Sequence, residues 1–325
     1  HEGHALRYFG QKLIQLLIVV FVVTFVVSLA LGAIPNAEER IIASTGQGAF
    51  TEEERNAILD EVHLRDSVVV QYGHFVKDLV TFDWGVTFGG NQPVRESIWD
   101  GLQISLRLMI YAQLVALLVS IPLALLAAYR NGGIFDRIST TVSFGFISVP
   151  NYVLATVLGL FFTVQWKIFP ALSKNVSFFD SPFDHFKNFF LPTVVLAAPL
   201  AATYMRLLRS DLINTLQSDF ITTARAKGLS TSRILFGHAL RPSLFSLLTA
   251  AAVNVGALVG GSVVVETAFN MNGLGRKTVV GIFSSEFRLV QITVVVLALV
   301  YVLINFLADI LYGFLDPRVR GARSV

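Results

Sequence analysis

Residues 219–242 read DFITTARAKGLSTSRILFGHALRP, a polar stretch set between two long apolar ones. Asp219 is a capping residue type, and it is predicted to open a short helix that runs to Lys227. Gly228 supplies a left-handed stop, and Ser230 is placed to cap a second helix that starts at Thr231. Helices this short bury no core of their own, so they need a surface to pack against. Arg225, Lys227 and Arg233 make that surface an aqueous one, because such cations are costly in lipid.

The surrounding composition fixes the class. Of 325 residues, 54% are hydrophobic and 14% are charged, whereas a soluble domain carries roughly 25% charged residues. This is a membrane protein. The net charge is only +3, and the basic residues lie between apolar segments instead of forming a nucleic-acid-binding block. With no cysteine, the chain has neither disulfides nor cysteine-based metal or nucleophile chemistry of its own.

Six apolar stretches are long enough to cross a bilayer as helices: residues 13–33, 104–128, 138–164, 189–208, 244–265 and 290–315. The first exceeds the h-region of a cleaved signal peptide, which makes a retained span the better reading. The sequence begins at His1 and not at methionine, so the native start is expected upstream. Arg130, Arg137, the cluster from Arg206 to Arg241, and Arg318, Arg320 and Arg323 fall on one side of these spans. By the positive-inside rule that side is cytoplasmic, together with both termini. The expected organisation is an N-terminal segment with its span (1–35), an acidic extracytoplasmic insert (36–103), and a core of five spans (104–325) carrying the loop 219–242. Within the insert, Thr51 and Glu54 read as a capping box that opens a helix to about His63. A second helix is predicted from Ser67 to about Val80, with a turn at Phe82, Asp83, Trp84 and Gly85.

The order Thr222, Thr223, Ala224, three residues, Gly228, then Leu240 and a nearby proline resembles the EAA loop of membrane subunits of ATP-binding-cassette importers. The wording TARAKGLS looks like the dipeptide and oligopeptide permease branch. Two departures stand out: Thr222 takes the place of the family's leading Glu, and Pro242 falls one place late. The insert LRDSVVVQYGHFVKDLVTFDWGVTF and the blocks ISVPNYVLATVL, VVETAFNMNGLGR and NFLADILYGFLDPRVR are similar to the same family, so the match runs the length of the chain. The resemblance implies an all-α permease subunit with six spans that forms half of a peptide path beside a homologous second subunit. It implies ATPase subunits that bind ATP and magnesium beneath the loop, and an extracytoplasmic peptide-binding protein. Nickel or glutathione is the alternative cargo within the family. A self-sufficient secondary transporter is the alternative outside it, disfavoured by the absence of an evident inverted repeat and by the scarcity of midplane carboxylates.

In this reading Thr222, Thr223, Ala224, Arg225, Lys227, Gly228 and Arg233 form the ATPase-coupling surface. Ala224 and Gly228 permit close approach, and the cations meet acidic groups of the partner. The bland alternative is an ordinary positive-inside loop. On the fifth span, Gly256 and Gly260 are spaced for helix packing, while Asn254, Gly261 and Ser262 fall roughly opposite and are candidate path residues. Glu266 is either a gate or anchor residue or a solvated helix end. Pro150, Asn151 and Tyr152 break the third span, marking either a path or a packing kink. Asn305 and Asp309 share a face of the last span, where pairing of Asp309 with Arg206 or Arg318 is expected.

No nucleotide-binding motif is found. Gly273 to Thr278 lacks the spacing of a phosphate loop, so any hydrolysis falls to another subunit. The six histidines show no HExxH arrangement, and no metal site or catalytic residue is predicted.

Overall fold

The structure, a computed structural model, describes residues 2–32, 36–44, 51–53, 56, 59, 66–87, 92–170 and 176–315. Among these residues it is helical, with a single antiparallel bridge between Val86 and Pro93. α1 is Glu2–Gly32, α2 Ala37–Ser44, α3 Val68–Thr81 and α4 Val94–Tyr129. α5 (Ile134–Ser148) is followed by α6 (Asn151–Gly159), which continues as a wide π turn over Leu160–Gln165. α7 is Pro182–Leu216 and α8 is Asp219–Ala226. α9 (Thr231–Arg233) passes through a second π turn, Ile234–Ala239, into α10 (Leu240–Ala268), and α11 (Leu274–Phe283) and α12 (Phe287–Leu315) follow. Of the predicted helix from Thr51 to His63, Glu52, Glu53, Asn56 and Leu59 are described and helical, whereas Glu54 and His63, the tail cations Arg318, Arg320 and Arg323, and the Asp309 side chain lie outside the described residues.

Among the described residues, four helices are long and apolar enough to cross a membrane: Val94–Tyr129, Pro182–Leu216, Thr231–Ala268 and Phe287–Leu307. α5 and the α6 segment pass the same test together but are bent by 101°. α1 carries an apolar stretch, Leu17–Ala30. The chain is thus a multi-pass membrane protein, and its large exposed apolar side chains, such as Leu118 and Ile138, are the ones a membrane environment tolerates.

The expected bend of the 138–164 stretch at Pro150 is present and measures 101°. Pro150 has no N–H to donate, and its ring drives the preceding residue out of the helical region. Val149 accordingly sits at φ −86°, ψ 121° and Pro150 at φ −61°, ψ 144°. Two successive extended residues end one helix and start another.

The chain divides into two compact units, His1–Ser105 with Asn272–Leu303, and Leu106–Met271 with Ile304–Val325. In the first, α3 packs on α1 through Tyr72. Its hydroxyl meets Thr24 Oγ1 at 2.8 Å, and the rings of Phe21 and Phe25 meet it edge-on. Phe75, Val94, Ile98, Leu274, Leu289 and Ile292 form the core beside it. Arg288 ties α12 to Asp78 of α3 by an ion pair.

In the second unit α7 is the central helix. It packs against α5, α6 and α10 and buries Val195, Leu196, Tyr204, Met205, Leu208 and Leu212. On its exposed side the Thr203 hydroxyl donates back to the Pro199 carbonyl at 2.9 Å.

Candidate functional site

α8 follows α7 after only Gln217 and Ser218. Ser218, not Asp219, holds the capping position, with extended backbone at φ −74°, ψ 155°. Its hydroxyl is turned back to the Thr215 carbonyl, so the expected side-chain cap from Asp219 gives way to backbone bonding. Asp219 lies instead in the first turn and Arg225 in the last, which suits the helix dipole at both ends. The helix stops one residue earlier than predicted, at Ala226. Gly228 takes φ +77° as anticipated, a backbone that costs a side-chain-bearing residue about 1–2 kcal/mol.

Burial on α8 is one-sided. Ile221 and Ala224, three apart, face the protein, while Thr222, Thr223, Arg225 and Lys227 are exposed. Ala224 therefore lends its small size to packing within the chain. Nothing lies within 4 Å of the position a Gly228 Cβ would take, so that residue is a glycine for its backbone angle.

The second predicted short helix is not separate. From Thr231 the chain runs to Ala268 as one membrane-length helix of 38 residues. The π turn at Ile234–Ala239 lies just before Pro242, which cannot bond the carbonyl of His238, and the widened turn accommodates that defect. Arg233 is exposed at the start of this helix. A cleft of about 590 Å³ joins the parts: Tyr129 and Asn131 from the end of α4, Gln217 after α7, and Thr222, Arg225 and Thr231 line it.

The path candidates divide. Gly261 stands where three helices meet: an added Cβ would lie 2.9 Å from Leu196 Cδ1 of α7 and 3.4 Å from Asn151 Nδ2 of α6. The structure thus brings Asn151 and Gly261 together, beside the break at Pro150. Tyr152 is 60% exposed. Asn254 is half-buried and donates to its own helix at the Ala250 carbonyl, 2.8 Å away. Ser262 is buried and donates to the Val259 carbonyl at 3.0 Å. Glu266 is 0% exposed, which removes the solvated helix end from its two readings. Gly256 is buried, whereas Gly260 is exposed with open space at its Cβ position.

In the first unit, Lys277 of α11 is only 9% exposed and donates to Ser97 Oγ at 2.7 Å. Burial lowers its pKa below the usual lysine value, with Asp100 opposing that shift by charge. Several polar contacts were not anticipated from sequence. Arg209 pairs with Asp136, Arg206 lies over the Phe144 ring, and buried His185 bonds the Tyr111 hydroxyl and the Val176 carbonyl. Only the residue types hinted at these, through an Asp in the first turn of α5 and a basic cluster late on α7.

The long apolar helices, with a short amphipathic helix between two of them, define a multi-pass membrane protein. Residues 120–321 match the family described as binding-protein-dependent transport system inner membrane component. Over 310 residues the chain is 34% identical to a protein of Brucella abortus (strain 2308) named for a peptide transport system permease, covering 95% of this chain and 98% of that one. It is 32% identical over 259 residues to the dipeptide transport system permease protein DppB of Bacillus subtilis (strain 168), covering 79% and 81%. With the glutathione transport system permease protein GsiC of Escherichia coli O1:K1 / APEC it shares 28% identity, covering 97% and 99%. The chain belongs to the family of binding-protein-dependent transport system inner membrane components.

Proposed function

We infer that this chain is one membrane subunit of an ATP-driven importer of dipeptides or oligopeptides. The observation that carries the reading is α8: anchored by Ile221 and Ala224, it presents Thr222, Thr223, Arg225 and Lys227 outward while joined within a few residues to membrane-length helices on both sides. A helix so tethered converts displacement by a docked partner into displacement of the spans. That partner is a cytoplasmic ATPase subunit that binds ATP and magnesium, and this chain performs no catalysis itself. Arg233 extends the basic surface, and Gly228 fixes the exit from α8.

The chain has six spans with both termini in the cytoplasm, the first including Leu17–Ala30 and the third built from α5 and α6. Residues 36–103 form the extracytoplasmic insert that receives a peptide-binding protein, and residues 104–325 form the permease core. Six helices make a thin wall, so the path lies at the junction with a homologous permease subunit. Pro150, Asn151 and Tyr152 face it at the break in the third span, with the half-buried Asn254 on α10 beside them, while Gly261, Ser262 and Glu266, packed inside the chain, back that wall and hold α10 against α6 and α7. Gly256 and Gly260 serve helix packing, Gly260 toward the neighbouring subunit.

The test is uptake into proteoliposomes containing the complete complex, with labelled dipeptide, a longer labelled peptide and glutathione as cargoes. ATP-dependent uptake of a peptide is the expected result, and preferential uptake of glutathione supports the relative named for that cargo. Uptake by this chain alone under an ion gradient contradicts the reading.

A further inference from the structure

α5 opens at Ile134, and Asp136 lies in its first turn. Its carboxylate folds back so that Oδ2 accepts the Gly132 backbone N–H at 2.8 Å, within the turn that leaves α4. From α7, Arg209 Nη2 donates to the same oxygen at 2.6 Å, and Arg209 Nε donates to Oδ1. Nη2 also reaches Asn131 Oδ1 at 3.3 Å. Asp136 is 3% exposed. A two-point guanidinium–carboxylate contact fixes angle as well as distance, and breaking one at a buried carboxylate leaves that charge uncompensated. On the preceding turn of α7, Arg206 stacks over Phe144 of α5, 3.9 Å from the ring centre. α5 and α7 are thereby tied twice by arginines of one helix.

The tie stands at a junction. Toward one end, α7 runs through Gln217 and Ser218 into α8. Toward the other, α5 runs to the break at Val149 and Pro150 and so to Asn151 on α6. Asn131 lines the same cleft as Thr222 and Arg225.

We propose that Asp136 and Arg209 are a positioning pair that makes α5 and α7 move as one body, passing displacement of α8 to the broken third span. The proposal rests on the reading of α8 as the ATPase contact. Without the Asp136–Arg209 pair, α8 and α7 still move when the ATPases close, but the break at Pro150 does not follow, so hydrolysis continues without transport.

The experiment compares wild type, Asp136→Asn, Arg209→Gln and the conservative Arg209→Lys in the complete reconstituted complex, measuring assembled subunits, ATP hydrolysis and peptide uptake. The expected result is normal assembly and hydrolysis with uptake per ATP reduced about ten-fold in the first two variants, the size of a typical coupling energy. Arg209→Lys, which keeps charge but loses the two-point geometry, falls between them and wild type. An unchanged ratio overturns the proposal. So does a parallel fall of uptake and hydrolysis, or failure of all three variants to assemble, because the pair then serves only structure. A wild-type complex that takes up no peptide with ATP refutes the functional reading instead, and is recognised before any variant is compared.

Discussion

Leu196 of α7 occupies space that a side chain at residue 261 of α10 would need: an ideal Cβ on Gly261 falls 2.9 Å from Leu196 Cδ1. That atom is the tip of a rotatable side chain, so the site gives way a little but not far. Gly261→Ala is expected to change stability by less than about 1 kcal/mol, since the gain from replacing a helical glycine offsets the crowding. Gly261→Val overpacks and is expected to cost about 1–3 kcal/mol. Thermal unfolding of the purified protein in detergent checks both, and equal melting of Val and Ala variants contradicts the close approach.

Gly228 tests the exit from α8. At φ +77° asparagine is the best-tolerated replacement and a β-branched residue the worst. Gly228→Asn is expected to keep most ATP-dependent uptake and Gly228→Val to lose most of it, with normal amounts of protein in the membrane. Equal uptake in the two variants shows that the left-handed turn is irrelevant to transport.

The break in the third span is assigned to Pro150. The chain has no cysteine, so spin labels at introduced cysteines 138 and 157 report only that span. A straight helix between them would measure about 28 Å at 1.5 Å per residue, and the 101° bend shortens it. Pro150→Ala is expected to lengthen the distance toward the straight value, and an unchanged distance places the cause of the bend elsewhere.

Lys277 carries a pH dependence whose sign follows from its burial. Its folded pKa is lowered while the unfolded value stays near 10.5. Between those two values the unfolded chain holds the proton and the folded chain does not, so stability rises with pH through that window. Below the lowered pKa the cost of burying the charge is fully present. Comparison of melting temperatures on the alkaline side should show this rise in wild type and its loss in Lys277→Met, and identical pH slopes in the two proteins contradict it.

Much of this was legible in the sequence because it depends on local chemistry. Apolar runs of bilayer length placed the long helices, Gly228 and Ser230 marked the turn after α8 and the start of α9, and the Thr222–Gly228 spacing pointed to the family. The cap of α8 falls on Ser218, one residue before the expected Asp219, because both are capping types and only the backbone decides between them. The bend at Pro150 was anticipated in place but not in size, which depends on both Val149 and Pro150 adopting extended angles. Burial of Glu266 and Lys277, and the joining of Asp136 to Arg209 across two helices, come from tertiary packing. No periodicity in one sequence records such pairings.

Whether α8 is the surface on which the ATPase acts can be read by cross-linking, because the chain has no native cysteine. A single thiol introduced at Thr223, on the exposed face of α8, is paired with a thiol-to-amine cross-linker in the assembled complex. A second preparation carries its thiol at Phe179, which is 91% exposed between α6 and α7 and lies extracytoplasmically in the proposed topology. Capture of the ATPase subunit is expected from residue 223 and not from residue 179. Capture from 179, or none from 223 in a complex that transports, would contradict it.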